Sequence, residues 1–84
     1  MARLEKHIQR LSDSPRSISD RELIGILKSL GFDERSGKGS HRLFKHPRYG
    51  HVLTVPHQDP LKVTYVIQAR KIINEVMELM RNDE

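Results

Sequence analysis

Leu4, Ile8 and Leu11 recur at helical spacing with charged residues between them, which predicts an amphipathic helix from residue 2 to about 12. Ser12-Asp13-Ser14-Pro15 breaks it. A second helix has a full start signal. Ser19 followed by Glu22 fits a capping box, in which each side chain satisfies an orphan backbone N–H of the first turn. Ile18 and Leu23 flank the cap as a hydrophobic staple, and Leu23, Ile26, Leu27 and Leu30 form the apolar stripe. Gly31 ends the helix, since glycine accepts the left-handed backbone that closes a last turn, and Phe32 can fold back onto Leu27.

From Phe32 the period changes. FDERS reads as a short polar edge strand, SHRLFKH as a better strand, and HVLTV as a third, with a turn at Pro47-Arg48-Tyr49-Gly50. Pro56 stops the third strand and HQDPLK is a loop. A long helix follows from about 64 to 81. Val66, Ala69, Ile73, Met77 and Met80 lie on one side, broadened by Ile72 and Val76, with both methionines as core filler. Helices segregated from a small antiparallel sheet make an α+β two-layer domain, with one sheet face packed and the other free. No repeat or linker divides the chain, so residues 1–84 are expected to form one domain, with residues 1–15 as an N-terminal helical extension and 19–76 as the core.

The apolar stripe of the first segment is too short to stand alone, because isolated helices under about 12–15 residues are marginal in water. The expected cover is the far end of the last helix, Val76 to Met80, which runs past a short sheet. At 84 residues the chain buries only about 60–65% of the surface that it exposes when unfolded, so such an addition matters to stability.

Charge narrows the function. Fifteen Lys and Arg against eleven Asp and Glu give +4, a balance that suits an acidic partner such as nucleic acid. The absence of cysteine removes disulfides and thiolate chemistry and fits a reducing compartment. The N-terminus has no signal-peptide core, and nothing approaches the roughly 20 apolar residues of a membrane span, so a cytoplasmic protein without a membrane role is expected.

The segment SGKGSHRLFKHPR, residues 36–48, concentrates the candidate chemistry. It is not a nucleotide-binding loop. Five residues, not four, separate Gly31 from Gly37, Gly39 follows Lys38 where Ser or Thr is required, and a strand follows instead of a helix. Metal ligation is weakly supported. His41 and His46 point to opposite faces of a strand, although His41 and His51 could meet across the hairpin. A solubilising loop with an incidental histidine is the plainest alternative.

Phosphodiester chemistry on RNA is the remaining reading. Glycines let backbone N–H groups approach phosphate, Lys38, Arg42 and Lys45 add charge, with Lys62 as a further cation, and Ser40 adds a donor. Imidazole exchanges protons near neutral pH, and RNA supplies its own nucleophile, the 2′-OH. With Phe44 facing the core, Arg42 and His46 share its side, while His41, Leu43 and Lys45 face the other way. His46, His51 and His57 read as turn or surface histidines.

A wider series carries a resemblance. Gly31-Phe32 at a helix end, Lys38-Gly39-Ser40-His41 opening a strand, Phe44, His46-Pro47, Thr54-Val55-Pro56-His57, and Lys62 before a last helix are similar to the HicA toxins of bacterial and archaeal toxin–antitoxin pairs. So is the helix RELIGILKSLGF. The likeness covers about residues 20 to 75. It implies a fold resembling the double-stranded-RNA-binding domain, α-β-β-β-α, with an extra N-terminal helix. It also implies a metal-independent mRNA interferase without a cofactor, RNA as substrate and a HicB-like antitoxin as partner. The family's catalytic histidine falls on His41, and Lys38, Gly39, Ser40, Arg42, Lys45 and Lys62 are the candidate RNA contacts. Three features depart from the pattern. Asp33-Glu34-Arg35 replaces an apolar pair, Val63 stands where proline is common, and residues 1–18 and the tail beyond about 75 extend the compact form, as in a longer branch of the family. Two other functions remain open on this fold: an RNA-binding module that does not cut, and an interaction protein that binds only an antitoxin-like partner.

Overall fold

The computed structural model describes residues 2–35, 39 and 41–82. Helix α1 spans Ala2–Asp13 and ends in a 3-10 turn at Pro15–Ser17. Helix α2 spans Asp20–Ser29, and the Glu22 N–H donates to Ser19 Oγ at 3.1 Å. The reciprocal half of the expected capping box is not formed. The Glu22 carboxylate turns to α1 instead, accepting from Arg10 Nε at 2.6 Å and Nη2 at 3.2 Å, with His7 Nδ1 at 3.4 Å. A charge-assisted bond to guanidinium outweighs one to a neutral amide, and here it ties two helices together. Arg10 accordingly holds the Glu22 carboxyl below the ordinary carboxylate range, and Glu22 holds the Arg10 guanidinium higher in turn.

The end of α2 is a two-bond cap. Gly31 has φ +95°, its N–H donates to Lys28 O at 3.1 Å, and the Phe32 N–H donates to Leu27 O at 3.0 Å. The turn brings Phe32 back into the core, where it is buried.

Three antiparallel strands follow in the order β1-β2-β3: β1 Asp33–Arg35, β2 His41–Lys45 and β3 Val52–Pro56. Glu34 pairs with Phe44, Arg35 with Leu43, Phe44 with Leu53, and His41 with Pro56. Directly paired residues share a face. Phe44, Leu53 and Val55 are therefore buried against the helices, while His41, Leu43, Lys45, Val52 and Thr54 line the opposite face.

Helix α3, Val63–Arg81, lies on the covered side together with α2. This is an α+β two-layer domain with the helix–three strands–helix order of the double-stranded-RNA-binding fold, and α1 is an extra helix packed on α2 and α3. Leu11 of α1 is 1% exposed and belongs to the same core as Ile18, Leu27 and Ile73, with Leu4 and Ile8 half-buried beside it.

Two expectations are corrected. Met80 is not core filler: it and Leu79 are exposed, and the apolar cover of α3 stops at Val76 and Met77. Nineteen residues of helix reach about 28 Å, whereas a five-residue strand reaches about 17 Å, so the last turn outruns the sheet. His46 is not a surface residue. It is 4% exposed, its Nε2–H donates to Leu30 O at 2.9 Å, and its Nδ1 accepts the Arg48 N–H at 3.0 Å. Its ring also meets the Phe32 ring edge-on, with centroids 5.0 Å apart.

Candidate nucleic-acid interface and catalytic histidine

The site is built by the start of β2. His41 is its first residue and is exposed on the face that no helix covers. Among the described residues, no side chain or backbone group bonds its ring. Gly39, two residues earlier, has φ +65° and open space where a Cβ would stand, a conformation that favours glycine. Two of the expected contacts, Lys38 and Ser40, lie outside the described residues.

The other candidates divide between faces. Lys45 is exposed on the His41 side, four residues along the strand, or about 13 Å away. It stands opposite Val52 on β3 and Asp33 on β1. Arg42 points to the helix side. Its Nε–H donates to His57 Nε2 at 3.2 Å and lies 4.0 Å from Glu34 Oε2. Lys62 is exposed at the N-terminus of α3, reached by the short loop that leaves β3 at Pro56, the residue paired with His41. The open face thus groups His41 with Lys45 and leaves Arg42 behind it.

Register adds a residue that local pattern missed. Arg35 is exposed opposite Leu43, on the His41 face and between the positions of His41 and Lys45. Its sequence neighbourhood, Asp33-Glu34-Arg35, reads as mixed charge; only the pairing separates Glu34 to the helix side from Asp33 and Arg35 on the open side.

The hairpin meeting of His41 and His51 is overturned. His41 pairs with Pro56, whereas His51 precedes Val52, which pairs with Lys45, so the two histidines stand at opposite ends of the hairpin. His51 instead rests edge-on against Tyr49, with centroids 5.5 Å apart. The Tyr49 hydroxyl donates to Glu75 on α3, and that hydrogen bond, with some desolvation and the carboxylate's charge, pushes the phenol above its ordinary pKa. Among the described residues, no group of three or more His, Asp or Glu is placed to hold a metal ion, and no helix is long and apolar enough to cross a membrane.

The model of the HicA toxin of bacterial toxin–antitoxin systems matches residues 21–74, from the first turn of α2 to the middle of α3. The chain belongs to the HicA toxin family. No curated protein and no solved structure matches it. Membership assigns this HicA chain to the toxin side of a toxin–antitoxin pair and implies an antitoxin as its partner. The matched range contains the whole sheet and His41, while α1 and the last turns of α3 fall outside it.

Proposed function

We propose that this HicA toxin is a metal-independent endoribonuclease that cuts mRNA in the cytoplasm and so arrests translation, with His41 as its general acid or base. The observation that carries the reading is the position of His41: an exposed imidazole without a partner among the described residues, at the first residue of the central strand and on the uncovered sheet face. A catalyst of proton transfer must reach its substrate, and a rigid strand end beside a glycine turn lets a phosphate come close.

In this reading the RNA 2′-oxygen attacks the adjacent phosphorus and the P–O5′ bond breaks. The 2′-OH loses its proton and the leaving 5′-oxygen gains one. His41 carries one of these transfers in a given step, and water or a second group carries the other. The product ends are a 2′,3′-cyclic phosphate, or its hydrolysis product, and a 5′-hydroxyl. Lys38 and the backbone of Gly39 and Ser40 hold the reacting phosphate. Lys45, and Arg35 beside it, draw the flanking strand across the open face, with Arg42 and Lys62 at its end. A HicB-like antitoxin is the partner that restrains the toxin.

Regulated expression of the wild type beside His41→Ala tests the reading, with growth and RNA integrity followed together. General acid–base groups contribute about 10²–10⁴-fold, so the variant should lose growth arrest and cleavage while remaining folded. Wild-type cleavage should persist in excess chelator. A folded His41→Ala protein that cuts undiminished would remove His41 from the chemistry, and activity lost in chelator and restored by one metal would remove the metal-free mechanism.

A further inference from the structure

Behind the open face, five charged or polar side chains form a continuous chain of contacts. Lys28 Nζ of α2 lies 3.3 Å from Glu34 Oε1 of β1, Glu34 Oε2 lies 4.0 Å from Arg42 Nε of β2, Arg42 donates to His57 Nε2 at 3.2 Å, and His57 Nδ1 lies 3.3 Å from Asp20 Oδ2 at the start of α2. The contacts fix the tautomer of His57. Nε2 faces a donor and must carry the lone pair, so the proton sits on Nδ1 and is given to Asp20. Asp20 is held in turn. Its other oxygen accepts the Arg21 N–H at 3.0 Å, and its own N–H donates to Gln58 O at 3.2 Å. Orientation therefore passes from the backbone of α2 through Asp20 and His57 to the Nε of Arg42.

Exposed ion pairs contribute little to stability, so a tie between sheet and helix is a weak reason for such a chain. Its effect on Arg42 is more specific. Nε is engaged by a neutral ring nitrogen, which leaves the charge of the guanidinium in place. Among the described residues, neither terminal Nη group of Arg42 has a hydrogen-bond partner, and the side chain is 40% exposed. Two parallel N–H groups on a fixed plane match two oxygens of a phosphate. Arg42 is also the residue after His41, on the opposite face of the same strand end.

We propose that Asp20 and His57 are positioning residues that hold Arg42 as a clamp for a phosphate next to the one at His41, so that RNA wraps round the end of the sheet. The inference rests on the proposed RNA substrate and adds the direction of its path: from the open face, over the His41–Pro56 end, to the helix side. Glu34 is the competitor for the guanidinium.

The test uses full-length protein carrying His41→Ala, which holds RNA without cutting it, and a single-stranded RNA oligonucleotide as probe. Arg42→Gln should weaken binding about tenfold, in the range of hydrogen bonds to charged groups, and reduce the slope of log K against log salt by about 0.7. His57→Ala should weaken binding less and leave the slope unchanged, because the charge remains. The Arg42→Gln/His57→Ala double variant should bind no worse than Arg42→Gln alone. His57→Gln, which offers an acceptor oxygen, should recover part of the loss, and Asp20→Asn should resemble His57→Ala. Glu34→Gln should tighten binding only when Arg42 is present. If RNA binds but the losses at His57 and Arg42 simply multiply, or His57→Ala shifts melting alone, the positioning role is overturned and the proposed function stands. If none of the proteins binds RNA, both fall.

Discussion

His41 and His46 lie five residues apart on one stretch of chain, and the structure uses them in opposite ways. The odd separation sends them to opposite faces of the sheet. His46 is buried, and both ring nitrogens are occupied by backbone groups of the turns that follow α2 and β2. His41 is exposed, with both nitrogens unengaged among the described residues. An imidazole whose donor and acceptor are both occupied is part of the architecture. One whose nitrogens face solvent at a strand end is available for chemistry. Residue type carries no information about this difference; the partners do.

The largest expected effect on this comparison is functional. His41→Ala should lower RNA cleavage by about 10²–10⁴-fold, measured on purified protein, with melting within about 0.5 kcal/mol of wild type because the exposed side chain has no partner among the described residues. A comparable fall in stability would break the contrast by making His41 a second structural histidine.

The converse substitution should act on the fold. His46→Ala removes the bonds that the ring makes to the Leu30 carbonyl and the Arg48 N–H and opens a cavity beside Phe32, so a loss of about 2–4 kcal/mol is expected in denaturant unfolding. Cleavage per folded molecule should not change. If activity fell while stability held, His46 would belong to the site.

Gly31→Ala probes the same buried corner more gently. A left-handed backbone costs a side-chain-bearing residue about 1–2 kcal/mol, and the added Cβ would stand 3.4 Å from His46 Nε2. Melting should drop accordingly; an unchanged midpoint would show that the cap and the His46 contact are dispensable.

On the open side, Lys45→Gln and Arg35→Gln should each flatten the salt dependence of RNA binding by about 0.7 in slope, with little change in stability. An unaltered slope in both would move the RNA path off this face and away from Lys45.

The smallest effect is a control in acid, away from both histidines. Glu22 is depressed by Arg10, so its contribution is present above the unfolded carboxyl pKa, about 4.3, and is lost as pH falls through the lower folded value. Wild type should lose some melting temperature over that interval, and Arg10→Gln should lose less. Equal acid sensitivity in the two would show that the α1–α2 tie does not respond to this carboxyl.

Much of this was legible in the chain because it rests on local rules. Ser19 before an apolar stripe caps α2, Gly31 ends it through its positive φ, and the alternation of His41 to Lys45 sets which side chains face the core once Phe44 is buried. Local pattern could not assign partners. Glu22, a cap residue by its spacing, bonds an arginine twelve residues away; His46, a turn residue by its pattern, is closed in by one carbonyl and one amide; and His51, a neighbour of His41 by hairpin logic, is set at the opposite end by the register.

Periodicity, caps and glycine conformations act over a few residues, so the elements, the α+β order and the residue types available at the start of β2 follow from the chain. Only the packed arrangement sets which histidine is exposed on the open face, which is buried and which accepts from Arg42. Those outcomes depend on strand register and helix placement, which bring together groups from α2, β1, β2 and the loop after β3 that no short-range rule connects.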